Sequence, residues 1–160
     1  MNPHSDYFNA VTRCMMSFQF VEEALKMVLV RLESLTYFCL RQHTHYNLKP
    51  KLSAIQNAAM GRLIDMLSIY TDDKELITEL RKIKKKRDQV AHRSLLMTSE
   101  ETNDEKHMHL KAAELKTIDE LSEAMLTILL KKWNDLDNLL NKITAEQAAE
   151  SDRPKSGPPG

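Results

Sequence analysis

The chain has 160 residues, 42% of them apolar, with a formal net charge of zero, three glycines and two cysteines. That length fits one domain with a sizeable core, and the apolar fraction excludes a chain that stays disordered throughout. A zero balance excludes nucleic-acid binding through bulk charge, so a local patch would be needed; no apolar run of about 18 residues exists to cross a membrane as a helix.

So few glycines beside abundant Leu, Met, Ala, Lys and Glu predict an all-α protein. The first segment runs from about Ser5 to Gln42 without Pro or Gly. Its apolar residues Phe8, Val11, Met15, Phe18, Val21, Leu25, Val28, Leu32, Leu35 and Cys39 recur at spacings of three and four, the stripe of a long amphipathic helix. Glu22 and Glu23 lie near the centre line of that stripe, where a Glu is more often at the stripe's edge than catalytic. Cys14 and Cys39 sit among apolar helical residues and are expected as buried free thiols of a cytoplasmic protein. The opening MNPHSDYFNAV also lacks the charged-then-apolar order of a secretory signal.

The stretch from His43 to Pro50 breaks the pattern and reads as a connection, with Pro50 opening a second helix. That helix carries Leu52, Ile55, Ala59, Leu63, Met66 or Leu67, and Tyr70; Gly61 inside it suggests close approach to another backbone. Asp72, with Glu75 three residues on, caps a third helix through Leu76, Ile77, Leu80, Ile83, Val90 and Ala91. From Ser94 to Lys116 the periodicity fades, and the acidic Ser99 to Glu105 segment reads as an exposed loop. Thr117-Ile-Asp-Glu120 forms a capping box for the last helix, which continues through Leu121, Met125, Ile128, Leu129, Trp133, Leu136, Leu140 and Ile143. The expected architecture is an all-α bundle of four to five helices, the first and last long, with a polar loop before the last. One domain spans residues 1–144, and residues 145–160 are expected as a disordered tail.

Chemistry concentrates at the end of the third helix, Arg81 to His92, where six cations fall within the first seven positions. Read alone, the run from Lys82 to Arg87 is a solvated face with helical partners such as Glu79. Arg87, Asp88 and His92 add a second possibility. Asp88 and His92 are one turn apart on one face, whereas Arg87 lies about 140° round the helix from His92. One helix does not aim both at a single point; a second copy brought up antiparallel by a two-fold axis can. His92 can then act as general base or acid, Arg87 can clamp a phosphate, and Asp88 can orient the imidazole. Together these suit RNA cleavage by its own 2′-hydroxyl without a metal.

Arg87-Asp-Gln-Val-Ala-His92 resembles the R-x4–6-H signature of HEPN domains, in which a polar residue follows the Arg and the motif lies late in the third helix of a helical bundle. FQFVEEALKMVLVRL on the first helix looks like the start of such domains, and the likeness extends to about Ile143. The resemblance implies a homodimer with two motifs facing a shared cleft and a metal-independent endoribonuclease of a toxin–antitoxin or phage-defence system. By the match, Arg87 and His92 take the catalytic positions and Asp88 the supporting one. Lys82, Lys84, Lys85, Lys86 and Arg93 would hold RNA through its phosphates. Some subfamilies carry a modified Tyr two residues after the His; Ser94 stands there in this chain. The alternative is a non-catalytic HEPN-like helical module that pairs with an antitoxin or defence-complex protein. No cofactor is expected. His43-x-His45 and His107-x-His109 lack the further ligands of a zinc site, and no glycine loop cradles a phosphate.

Overall fold

The computed structural model describes residues 3–43, 52–93 and 104–151. Its regular elements are all helices: α1 (Pro3–His43), α2 (Leu52–Gln56), α3 (Met60–Tyr70), α4 (Lys74–Arg93) and α5 (Glu105–Ser151). The expected all-α bundle with long first and last helices is thus the fold found.

Two helices form its frame. α1 has 41 residues and α5 has 47, so they run about 60 and 70 Å at 1.5 Å per residue. Buried Tyr7, Cys14, Val21, Val28 and Leu35 recur every seven residues on α1, with Phe18 and Leu25 between them. Met108, Leu115, Ser122 and Leu129 do the same on α5. A seven-residue repeat keeps two helices in contact along their length through a gentle supercoil. The partners also advance together. Cys14 meets Leu115, Ser17 meets Asp119, and Arg31 meets Trp133 and Asp137, so α1 and α5 run parallel.

The seam departs from the sequence reading at its first turns. Phe8 is 55% exposed while Tyr7 is buried, and Cys14 rather than Met15 enters the core. Neighbouring residues fit a three-or-four spacing equally well; only the seven-residue phase set by Val21 and Val28 chooses between them. Cys39, expected inside, is exposed, whereas Cys14 is buried and donates to the Leu115 carbonyl at 2.9 Å. Burial, assisted by the nearby Asp119 charge, pushes the Cys14 thiol up to about 11. Beside it the Ser17 hydroxyl donates to the buried Asp119 carboxylate, whose other oxygen lies 3.4 Å from Arg13.

The remaining helices form a second layer. The second helix expected from Leu52 to Tyr70 is two helices, broken at Asn57 to Ala59. Asn57 donates both its backbone N–H and its side-chain amide to the Ser53 carbonyl, at 3.3 and 3.0 Å, and Ala59 is extended at φ −72 and ψ 157. The break lets Ile55 and Met60 both enter the core, and Leu67 rather than Met66 is buried on α3. α4 is capped one residue later than expected: Asp73, not Asp72, accepts from the Leu76 amide at 3.0 Å. Its other oxygen meets Lys132 of α5 at 3.2 Å, which ties the start of α4 to the upper half of α5. From there α4 runs antiparallel to α5 and to α3, whose Asp65 pairs with Arg81.

α5 begins twelve residues before the capping box assigned to it. Asp104 is the cap, accepting from the Lys106 and His107 amides at 3.0 and 3.1 Å. Thr117 is inside the helix and bonds back to the Ala113 carbonyl, while Asp119 is committed to α1. The polar loop therefore extends no further than residue 103, and Glu105 to Lys116 are helical because Met108 and Leu115 continue the seam. Residues 145–151 are helical too, not part of a tail. The connection at 44–50, the polar segment 94–103 and the tail at 152–160 lie outside the described residues.

Candidate functional site

Buried Leu76, Leu80, Ile83 and Val90 draw one line along α4 at spacings of four, three and seven. Arg87 lies on that same line, where another aliphatic residue would continue the core. It therefore faces α1. Its Nη2 lies 4.0 Å from Glu22 Oε2, and its Nη1 lies 3.6 Å from Asp88 Oδ1. Glu22 is shared with Lys26 at 3.5 Å. Two carboxylates thus lie at the long end of ion-pair distance from a guanidinium that remains 37% exposed.

Asp88 also takes a hydrogen bond from Lys84 Nζ at 2.6 Å. That bond is the main reason its carboxyl is held below the ordinary carboxylate range; the charges of Lys84, Arg87 and His92 act the same way, and partial burial opposes them. Lys84 reaches Asp88 across Gly61 at the start of α3: a Cβ there would stand 3.1 Å from Lys84 Cε. The glycine accommodates a side chain, where the sequence suggested another backbone.

The structure brings Arg87, Asp88 and Lys84 together with Glu22, a member that sequence reasoning left at the edge of a stripe. Its pairing with Arg87 joins two separate helices, which spacing along one helix does not encode. Arg87 at a core position of α4 was the available signal. His92 sits one turn beyond Asp88 and is exposed. The carboxylate expected to orient its imidazole is instead engaged by Lys84 and Arg87. Within one chain Arg87 and His92 point about 140° apart.

The basic run divides into tied and untied cations. Arg81 pairs with Asp65 at 3.6 Å, Lys82 with Glu79 at 2.6 Å, and Lys84 with Asp88. Among the described residues Lys85 and Lys86 have no ion partner; the Arg93 side chain lies outside them. Lys82, Lys85 and Lys86 border a groove of about 400 Å³ between α4 and α5 whose other wall is Leu121, Met125 and Ile128. An anion reaching this groove meets two untied lysines, Lys85 and Lys86, beside an apolar trough; Arg87 is turned toward α1, and neither it nor His92 lines the groove.

Comparison with protein-family models, curated proteins and solved structures gives no match. The resemblance to HEPN domains accordingly rests on Arg87 to His92, their position late in a bundle helix and the FQFVEEALKMVLVRL stretch of α1. No described helix is long and apolar enough to cross a membrane, and no three His, Cys, Asp or Glu groups among the described residues gather to hold a metal ion.

Proposed function

We propose that this chain is a metal-independent endoribonuclease of HEPN type, acting as a homodimer whose two motifs share one cleft. The observation that carries the reading is Arg87: a guanidinium on the core-facing line of α4, steadied by Glu22 and Asp88 yet open at its end. A cation fixed in advance stabilises developing phosphorane charge better than a mobile one, because it needs no reorganisation during reaction. His92, exposed near the end of α4, would remove the proton of the 2′-hydroxyl or protonate the leaving 5′-oxygen. Lys85 and Lys86 supply untied charge for neighbouring phosphates, so binding weakens with salt. Lys84 and Asp88 position the Arg87 side of the helix.

RNA incubated in EDTA with wild-type protein and with His92→Ala tests the reading. Cleavage by the wild type and loss of about a hundred-fold or more in the variant is expected for a missing general acid–base group. Equal cleavage by both, or none by the wild type, contradicts it.

A second reading keeps the helical bundle and drops the chemistry: an interaction module for an antitoxin or defence-complex protein. The apolar trough beside the motif favours it, since Leu121 and Ile128 are 54% and 46% exposed, more than catalysis requires. A harmless protein that co-purifies with one stoichiometric partner from its own host supports this reading over the enzyme.

A further inference from the structure

The groove between α4 and α5 has two unlike walls. α5 supplies Leu121 and Ile128, 54% and 46% exposed, with buried Ile118 and Met125 beside them. α4 supplies buried Ile83 and the lysines of the rim. Ser122, the one hydroxyl in the lining, is fully buried and donates to the Ile118 carbonyl at 2.9 Å. The α5 wall therefore leaves no hydrogen-bonding group open to a polar ligand and suits an aliphatic one.

Charge is graded along the trough. Asp73 of α4 holds Lys132 of α5 at 3.2 Å, and from that level the two helices run in opposite directions. Counted residue by residue from there, Lys85 and Lys86 stand level with Asp119 and Glu120, beside Ile118 and Leu121. Asp119 is committed to α1, and Glu120 does not line the groove. This end is therefore cationic. The other end, level with Met125 and Ile128, carries Glu79, whose charge Lys82 cancels at 2.6 Å. A positive end and a neutral apolar end match a molecule with one anionic head and one aliphatic tail. We propose that the groove binds a single-chain aliphatic carboxylate, its head at Lys85 and Lys86 and its tail along Leu121, Met125 and Ile128.

Size agrees with this ligand. From the level of Lys85 and Lys86 to Ile128 is about 13 Å along α5, the length of an extended chain of about ten carbons at roughly 1.3 Å each. The volume of about 400 Å³ is that of a small-ligand pocket. A partner helix fits less well. The trough is about 15 Å long and about 10 Å across, roughly a fifth of the ~800 Å² that each partner buries in a stable protein interface. The site goes beyond the ribonuclease reading and does not rest on it, although both readings use Lys85 and Lys86.

The test is calorimetric titration of the full chain with sodium dodecanoate below its micelle concentration. One equivalent should bind per chain. Decanoate and octanoate should bind more weakly, by about three- to four-fold for each methylene removed. Acetate, a head without a tail, should give no binding, and dodecyltrimethylammonium, a tail with the opposite head, should bind at least about ten-fold more weakly. Leu121→Glu, and Lys85→Ala with Lys86→Ala, should each weaken dodecanoate by roughly ten-fold or more. Leu130→Glu, at an exposed aliphatic that does not line the groove, should bind as the parent does. Circular dichroism confirms the fold of each variant and of the complex. Absent or many-fold binding, an affinity indifferent to chain length or to Leu121→Glu, or equal binding of the cationic amphiphile overturns the proposal. So does sedimentation with phosphatidylglycerol vesicles that Leu121→Glu does not reduce, which would place the contact on a bilayer. RNA cleavage is scored separately: a chain that binds dodecanoate without cleaving keeps this site and removes the nuclease, and one that cleaves without binding does the reverse.

Discussion

The α1–α5 seam and the outer edge of α4 are both built on helices, yet they use sequence in opposite ways. Along the seam, apolar residues return every seven positions and even its polar members are satisfied internally: Cys14 by a carbonyl, Ser17 and Asp119 by each other. Along α4 the same core line is interrupted by Arg87, and cations crowd the remaining faces. A seam of the first kind stabilises; an edge of the second kind costs stability, since a steadied but half-exposed guanidinium buries less apolar surface than the leucine it displaces. The contrast is why the proposed site falls on α4, where Arg87 breaks the helix's own packing rule.

The comparison breaks most directly at the seam. Leu25→Ala or Leu129→Ala, both at fully buried positions, should destabilise by about 2–5 kcal/mol in urea unfolding. His92→Ala on the exposed edge should change stability by no more than about 0.5 kcal/mol. Similar losses at both places would erase the distinction.

A smaller effect sharpens it. Asp119→Ala strands the buried Ser17 hydroxyl and removes the neighbour of Arg13, and should lower stability by about 1–3 kcal/mol.

A further small stability change tests the edge. Gly61→Ala gains helix propensity but crowds the flexible end of Lys84, so stability should move by less than about 1 kcal/mol. The informative readout is the Asp88 carboxyl, followed by NMR titration. With Lys84 displaced, it should rise toward the ordinary carboxylate range, because the hydrogen bond that lowers it is lost. In the wild type Asp88 and Asp73 both hold their protons less tightly folded than unfolded. Their contribution is present above about pH 4 and lost as pH falls through the lowered folded values. An Asp88 titration unaltered by Gly61→Ala would show that the lysine does not set it.

Much of this frame was legible in the residues and part was not, for physical reasons. Three-and-four periodicity predicts the long first helix and the placing of Arg87 to His92 late on α4. It does not fix phase at the ends of a stripe, which is why Tyr7 and Cys14 replace Phe8 and Met15. Capping signals mislead where the same residues serve tertiary contacts: Thr117 to Glu120 has the form of a helix start, but Asp119 is bound to α1 and the helix begins at Asp104. The break at Asn57 to Ala59 interrupts a segment whose apolar spacing looks continuous, and no Pro or Gly marks it. At the site, Glu22 and Gly61 join Arg87 and Lys84 across helices, and no local pattern records such pairings.

The central claim is that Arg87 of one chain works with His92 of another. It is tested by mixing two variants, Arg87→Ala and His92→Ala, each folded by circular dichroism and each expected to be inactive alone on RNA in EDTA. Free exchange of subunits produces mixed dimers with one restored cleft half, so the mixture should recover about a quarter of the wild-type rate. A mixture that stays silent while the wild type cleaves and subunits are seen to exchange would contradict the shared cleft.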